Sequence, residues 1–232
     1  MSAQAKRARV ALHHGRTSLA LHRRKEAAGP NLLLLHELYA SSEMWAAEVD
    51  AWQGSVWALD FSGHGDSAWR EGGIYFPETL AADADAALGK IGSACLAGAG
   101  VGAYAALLLA GGRPKEVQAT LLLPGAGLAG YGTEPPHDPA DGDFTRIAAA
   151  NRTSADPASA AFDPRVVLAE ADARPTNYAL SFAQRAGTLL LAEDGTTRPP
   201  WWEEVRLKGG ASTTTTELSV TLAALHAAGA AA

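Results

Sequence analysis

The sequence predicts an α/β fold built on a mainly parallel central sheet. Five continuous apolar runs are typical of strands that are buried on both faces of such a sheet. These runs cover residues 31–36, 56–61, 94–97, 119–123 and 188–192. Segments with helical spacing separate them, and strands that alternate with helices form βαβ units whose strands lie parallel.

The remaining elements follow from turn and helix signals. Residues 9–13 and 18–22 are predicted to be short strands on either side of the turn His14-Gly15-Arg16-Thr17, which indicates a hairpin. Proline and acidic residues at the start of segment 77–91 suit a helix N-terminus. The predicted helices cover residues 44–52, 77–91, 101–110 and 216–228.

Composition limits the classes of function. The chain has 232 residues, of which 47% are hydrophobic, and this is enough to bury a sizeable core. Its net charge is −6 and its longest basic run is Arg23-Arg24-Lys25, so nucleic-acid binding is not expected. The single cysteine, Cys95, excludes an internal disulfide and a cysteine-cluster metal site. No segment has the character of a signal peptide or a membrane span, so a soluble, cytoplasmic protein with no membrane partner is expected.

One region interrupts the alternation of strands and helices. Residues 125–185 hold much of the proline, aspartate and asparagine, and they separate the fourth apolar run from the fifth. This region is too polar and too short to form a second core. It is therefore predicted to be a reduced lid over the sheet edge, within a single domain that spans residues 1–232.

Three stretches, taken in order, resemble the α/β-hydrolase family. They are LLLLHELYASSEMW at residues 32–45, LDFSGHGDS at 59–67 and LAGAGVGAY at 96–104. Family members carry His-Gly after one strand, an Asp-x-x-Gly-His-Gly-x-Ser turn after the next, and the nucleophile elbow Gly-x-Ser-x-Gly after a third. The resemblance implies an α/β-hydrolase fold, with helices on both faces of a mainly parallel sheet.

The resemblance also implies a degenerate catalytic triad. The family needs a nucleophile on a strained strand-to-helix turn, a histidine base and an acid that orients it. Gly100 stands at the nucleophile position, and Ala211 is matched to the histidine position. Asp194 is the candidate acid, although the alternative is that Glu193 and Asp194 are solvated loop carboxylates.

Other parts of the family's site are retained or replaced. Backbone N–H groups form the oxyanion hole whatever the side chains are, and the resemblance assigns them to Leu38 and Val101. Glu37 stands where the family has glycine, and a carboxylate beside the pocket would be able to act as a general acid or base. The alternative is that Glu37 turns toward a backbone or arginine partner. The pocket candidates are His36, Tyr39, Tyr104, Asp194 and Ala211.

The sequence indicates neither a cofactor nor a metal. Gly98-x-Gly100-x-Gly102 lacks the Gly-x-Gly-x-x-Gly spacing of a dinucleotide loop. The histidines lack the spacing of a metal site. His36 and His64 are expected to serve as hydrogen-bonded structural residues.

Three functions remain as hypotheses. In the first, the protein binds a small carbonyl-containing or apolar ligand without classical serine hydrolysis. In the second, it is a non-hydrolytic lyase, cyclase or isomerase that uses Glu37, or a tyrosine such as Tyr39 or Tyr104, for proton transfer. In the third, it is an esterase-type hydrolase with a relocated nucleophile. The sequence leaves the ligand and the oligomeric state open.

Overall fold

The computed structural model describes residues 8–45, 49–73, 75–130, 162–170 and 172–230. Its centre is an eight-stranded sheet with the strand order β1-β2-β4-β3-β5-β6-β7-β8. β2 pairs antiparallel with both of its neighbours, and the other neighbouring strands pair parallel. The strands are β1 Ala8–His14, β2 Thr17–Lys25, β3 Asn31–Leu35, β4 Val56–Asp60, β5 Ala94–Ala99, β6 Val117–Leu123, β7 Thr188–Ala192 and β8 Ser212–Thr214.

The described helices cover both faces of this sheet. They are α1 Pro77–Ile91, α2 Val101–Gly112, α3 Thr176–Ala183, α4 Pro200–Lys208 and α5 Leu218–Ala230. Successive strand residues such as Leu32 and Leu33 enter different core clusters because side chains alternate along a strand. The larger cluster includes residues of α1, α2, α3 and α4, and the smaller cluster includes residues of α5. No helix in the described ranges is long and apolar enough to cross a membrane.

The predicted fold class and the five apolar strands are confirmed, and so is the β1–β2 hairpin. The prediction of one helix over residues 44–52 is wrong in its geometry. Two short 3₁₀ segments, Ser42–Trp45 and Val49–Ala51, stand at either side of residues 46–48, which lie outside the described ranges. The spacing did identify the inward side chains, since Trp45 and Trp52 are both buried.

The predicted lid is described only in part, because residues 131–161 and 171 lie outside the described ranges. Its described residues include a 3₁₀ segment, Pro164–Ala169, and the helix α3. α3 packs against α2 and α4. This part of the region therefore contributes to the helical layer on one face of the sheet.

Two elements were not predicted. One is α4, which contains Trp201 and Trp202 with both side chains buried. Pro200 at the start of α4 was the available signal. β8 gave no hydrophobic signal because it is a Ser-Thr-Thr edge strand with exposed or half-buried side chains.

Glycines bring α2 close to the sheet at the end of β3. A Cβ atom on Gly102 would lie 2.5 Å from the carbonyl oxygens of both Leu35 and His36. A Cβ atom on Gly98 would lie 2.2 Å from the carbonyl oxygen of Gly102. Because these contacts are to backbone, a side chain at either position would force the helix away from the strands.

Substitution of Gly102 is expected to destabilise the fold. Gly102→Ala should lower the free energy of unfolding by about 1–3 kcal/mol, the usual range for overpacking. Gly112→Ala is the matched control on the same helix, because its Cβ would meet no atom within 4 Å. It should be neutral or should stabilise by up to ~1 kcal/mol. Urea denaturation measures both, and equal effects would contradict this account of the packing.

Candidate functional site

The candidate site lies where the loops after β3, β5 and β6 meet. These strands are neighbours in the sheet and run parallel, so their carboxyl ends share one edge. The loops contribute Glu37 and Leu38 after β3, Gly100 after β5, and residues 124–130 after β6. Ligands of open α/β sheets bind at this kind of edge.

The turn between β5 and α2 is a tight strand-to-helix turn centred on Gly100. Gly100 links strand to helix with φ 57° and ψ −124°. Positive φ of this size favours glycine, because other residues are strained there. The prediction that Gly100 occupies this strand-to-helix turn agrees with the structure.

The space next to Gly100 is filled by the 124–130 loop. A Cβ atom on Gly100 would lie 2.0 Å from the carbonyl oxygen of Ala126 and 2.8 Å from Cβ of Glu37. The first of these contacts is to backbone, which cannot rotate away as a side chain does. Any side chain at position 100 would therefore require the loop to move.

The two predicted oxyanion donors converge on the same loop carbonyl. The N–H of Val101 donates to the oxygen of Ala126 at 2.9 Å, and the N–H of Leu38 donates to it at 3.2 Å. Val101 is the first residue of α2, and N–H groups at a helix start have no partner within the helix. The carbonyl of Ala126 thus fills the space toward which both N–H groups point.

The side chain of Glu37 binds the backbone N–H of Ala126. Its Oε2 atom accepts a hydrogen bond from the N–H of Ala126 at 2.8 Å. The sequence left open whether Glu37 faces the pocket or turns to a backbone partner. The half-buried side chain turns to a backbone partner, the N–H of Ala126, and its Cβ lies beside Gly100. A Cβ on Gly125 would lie 2.3 Å from this oxygen, so the loop needs glycine there.

A strained turn orients Leu38. The N–H of Ala40 donates to the carbonyl oxygen of Glu37 at 3.3 Å and closes the turn. Tyr39, inside this turn, has φ 66° and is the sole non-glycine residue with positive φ among the described ones. Such a conformation costs about 1–3 kcal/mol and occurs often at ligand sites. The Tyr39 ring contacts Phe162, with centroids 5.2 Å apart.

The ring of His36 is hydrogen-bonded to the backbone of Glu37 and of Phe61. Its ring is fully buried, and Nε2 accepts from the N–H of Phe61 at 3.1 Å. A backbone N–H only donates, so the proton of neutral His36 lies on Nδ1, which donates to the carbonyl of Glu37 at 2.7 Å. Burial lowers the pKa of His36, although the Glu37 carbonyl and nearby carboxylates oppose this. Both ring nitrogens therefore serve the fold.

His64 is packed beside His36, with ring centroids 4.9 Å apart. Its Nδ1 donates to the carbonyl of Ser62 at 3.2 Å, while Nε2 is buried and has no hydrogen-bond partner among the described residues. Burial, together with the charge that His36 would carry, lowers the pKa of His64 to about 3. His64 is therefore neutral at physiological pH.

Asp60 fixes the Gly-His-Gly turn. Its side chain accepts from His22 at 3.0 Å and from the backbone N–H groups of Ser42 and Asp66 at 2.7 and 2.9 Å. Burial alone would raise the pKa of Asp60, but these hydrogen bonds outweigh it and lower the pKa far below its usual value. The carboxylate is a structural anchor for two loops.

Among the described residues, Asp60 also belongs to a cluster of three side chains whose spacing would allow them to hold a metal ion. Ligand atoms of His22, Asp60 and Asp66 lie within 4.8 Å of one another. The Asp60 oxygens already accept backbone hydrogen bonds, and Asp66 is exposed. These contacts account for the cluster without a cation.

The proposed histidine position does not fit Ala211. Ala211 precedes β8, which runs parallel to β7, so it lies at the amino end of the parallel strands. Gly100 follows β5 and lies at the opposite edge. The residues that follow β8 at the correct edge are Thr215, Thr216 and Glu217. The match failed because β8 has no apolar pattern to mark where the strand begins.

Two other candidates lie in surroundings that explain them without catalysis. Tyr104 is fully buried in the larger core cluster, edge-on to Trp201 with centroids 4.9 Å apart. Asp194 is exposed and accepts hydrogen bonds from the N–H and hydroxyl of Thr196 and from Arg198. The reading of Asp194 as a solvated loop carboxylate fits this geometry.

Sequence reasoning missed the 124–130 loop altogether. Its Pro-Gly-Ala-Gly start was included in the polar region and not connected with the elbow. The alternation of glycine with small residues was the available signal, since it permits close backbone approach. Nothing in the sequence indicated that this loop would contact the turn at Gly100.

The burial of His64 predicts acid sensitivity. A histidine whose pKa in the folded state lies below its unfolded value of about 6.5 stabilises the fold fully above that pH. This stability is lost as the pH falls toward the folded value of about 3. The contribution of His64 should fall by about 2–3 kcal/mol between pH 7 and pH 4.

His64→Asn tests this expectation. An asparagine amide can replace Nδ1 as donor to Ser62 and does not titrate, so the variant should have a flatter pH dependence of the unfolding free energy. Exposed His13→Asn on β1 is the control and should keep the wild-type slope. Urea denaturation at three pH values measures both, and an unchanged slope in His64→Asn would refute the prediction.

Comparison with known proteins addresses the fold. No family model and no curated protein matches the chain by sequence. A solved structure described as a membrane phospholipase A, a bacterial virulence factor, is 18% identical. It has a TM-score of 0.70, with 99% of this chain and 88% of that chain covered.

Two further structures cover nearly the whole of both chains. An α/β hydrolase from Novosphingobium aromaticivorans is 16% identical, with a TM-score of 0.69 and coverage of 97% and 100%. The bottromycin epimerase BotH, solved in complex with bottromycin A2, is 17% identical, with a TM-score of 0.64 and coverage of 97% and 99%. Together with the strand order and the β5–α2 elbow, these likenesses show that the chain has the α/β-hydrolase fold.

Proposed function

We propose that this protein binds a small carbonyl-containing or apolar ligand at the Gly100 edge and does not carry out serine hydrolysis. The observation that carries the proposal is the position of Ala126. Its carbonyl oxygen accepts from both oxyanion donors and occupies the space of a nucleophile side chain. The degenerate triad inferred from the sequence is part of this proposal.

The first support is the absence of room for a nucleophile. Serine hydrolysis requires an oxygen on the residue at the elbow, within reach of a bound carbonyl. Gly100 has no side chain, and a Cβ there would overlap the Ala126 backbone. The position is therefore adapted to a different use of the edge.

The second support is that five of the described histidines have structural contacts elsewhere. His36 is hydrogen-bonded on both ring nitrogens, and His64 is buried with a pKa of about 3. His22 contacts Asp60, His14 contacts Asp83, and His226 contacts the carbonyl of Gln53. Among residues 215–217, which follow β8, there is no histidine. None of these five described histidines is therefore available as the base of a serine at the elbow.

The third support is that the edge still has the means to bind a carbonyl. Two N–H groups already hold one, and preorganised donors of this kind favour any carbonyl or carboxylate oxygen. Buried Leu38 and Leu128 and the Tyr39–Phe162 pair supply apolar surface close by. A ligand carbonyl that displaces Ala126 would gain the same two hydrogen bonds.

The proposal predicts that the wild-type protein neither hydrolyses esters nor reacts with serine-directed reagents. Incubation with a fluorophosphonate, followed by mass spectrometry of the intact protein, should give no adduct. A panel of short and medium-chain p-nitrophenyl esters should be hydrolysed at the buffer rate. An adduct, or turnover above that rate, would favour a hydrolase with a relocated nucleophile.

Restoring the serine is expected to fail. Gly100→Ser should give no esterase activity and should lower the free energy of unfolding by about 1–3 kcal/mol, because the new side chain overlaps Ala126. Gly112→Ser is the control, since that position is open. Activity above wild type in Gly100→Ser would show that a functional base is present and would contradict the proposal.

A second candidate function is proton transfer by Glu37 in a non-hydrolytic lyase, cyclase or isomerase. This function is favoured because Glu37 lies beside Gly100 and its carboxylate accepts a hydrogen bond from the N–H of Ala126. The structurally similar BotH is described as an epimerase. Deuterium uptake at the α-carbon of N-acetylalanine methylamide in D₂O distinguishes the two functions. An isomerase should catalyse the uptake and lose it on Glu37→Gln, whereas a binding protein should not catalyse it.

A further inference from the structure

We infer that the ligand of this site is a peptide-like amide, and that residues 125–127 occupy the site as an intramolecular substitute for it. The inference rests on the proposed binding function and names its ligand class. It follows from how the protein holds one residue of its own backbone, Ala126.

Both main-chain polar groups of Ala126 are bound. The carbonyl accepts from Leu38 at 3.2 Å and from Val101 at 2.9 Å, and the N–H donates to Glu37 Oε2 at 2.8 Å. A ligand with a carbonyl alone would satisfy two of these three groups. An N-acyl amino acid amide satisfies all three, since it carries an N–H and a carbonyl with the same spacing as Ala126.

Glu37 is the part of the site that distinguishes an amide from other carbonyl compounds. The Glu37 Oε2 atom accepts a hydrogen bond, so it favours a donor in whatever lies over Gly100. An ester has an oxygen in place of the amide N–H. This oxygen repels the Glu37 carboxylate and cannot donate a hydrogen bond to it. A site discriminates against a ligand that leaves one of its hydrogen-bonding groups without a partner.

The fit on either side of Ala126 limits the ligand to small residues. A Cβ on Gly125 would come 2.9 Å from the backbone nitrogen of Gly100, and a Cβ on Gly127 would come 2.9 Å from Cβ of Leu38. The matching ligand is therefore a short amide with small or absent side chains next to the bound residue. The sequence Gly-Ala-Gly of the loop is one example.

The loop is placed so that a ligand can exchange with it. Gly125 is exposed and Ala126 is half-buried, so this part of the loop lies at the surface. Beyond Ala126, the loop is anchored where Trp201 Nε1 donates to the carbonyl of Leu128 at 3.0 Å. A ligand that makes the three contacts of Ala126 restores the hydrogen bonds that are lost when the loop leaves. Because the loop competes for the same groups, it lowers the apparent affinity of the ligand.

The test compares two probes that differ in one atom. The first is acetyl-Gly-Ala-Gly-amide. The second is its depsipeptide, in which oxygen replaces the alanine nitrogen. Titration monitored by backbone amide NMR should show shifts at Leu38 and Val101, with the amide bound about ten- to hundredfold more tightly. In Glu37→Ala this preference should fall to less than about threefold, because the acceptor is gone.

A loop variant tests the competition. Gly125→Ala should displace the loop from Glu37 and Gly100 and should raise the affinity of the amide probe severalfold. Gly89→Ala on α1 is the control, since its Cβ would meet no atom within 4 Å, and it should bind the probe as the wild type does. Thermal unfolding of each variant checks that it is folded.

The outcomes separate this inference from the proposed function. Equal binding of the two probes overturns the amide inference and leaves carbonyl binding in place, provided that Leu38 and Val101 respond. Failure of both probes to bind Gly125→Ala also overturns it. A fluorophosphonate adduct on the wild type instead overturns the proposed function.

Discussion

The site depends on one constraint, which is that two convergent backbone N–H groups need an acceptor. Val101 opens a helix and Leu38 is fixed by a strained turn, so neither N–H has a partner within its own element. In an enzyme with this fold, water or a substrate oxygen would fill the space between them. Here the carbonyl of Ala126 does so, and Glu37 accepts the N–H of the same residue. The unusual residues at the edge follow from this arrangement.

Gly100 and Glu37 are two consequences of the same contact. A side chain at position 100 would displace the carbonyl, and a glycine at position 37 would leave the Ala126 N–H without its acceptor. The residues therefore form a consistent set around the backbone of Ala126. The proposed function, binding without hydrolysis, and the proposed amide ligand are both derived from this set of contacts.

Beneath the edge, the protein uses its polar residues to hold loops. Neutral His36 joins the β3 loop to Phe61, and Asp60 joins Ser42 to Asp66. The sequence singled out His64 through the Gly-His-Gly motif and His36 through the stretch at residues 32–45, and a structural role was expected for both histidines. The match of Ala211 to the histidine position does not fit because residues 208–213 were interpreted as a loop, whereas Ser212–Thr214 form β8 and Ala211 precedes it. The contact between Ala126 and the elbow was not anticipated, since residues 100 and 126 are distant in sequence and neither carries a distinctive side chain.

The sequence by itself determined the α/β class, the buried strands and the lack of a nucleophile at Gly100. These properties follow from local patterns, namely continuous apolar runs, glycine spacing and the identity of single residues. Only the tertiary structure decided what faces Gly100, which partner Glu37 has, and which edge Ala211 occupies. Those facts depend on strand direction and on backbone contacts between distant loops. Backbone N–H and C=O groups are the same in every residue except proline, so their pairing leaves almost no trace in the side-chain sequence.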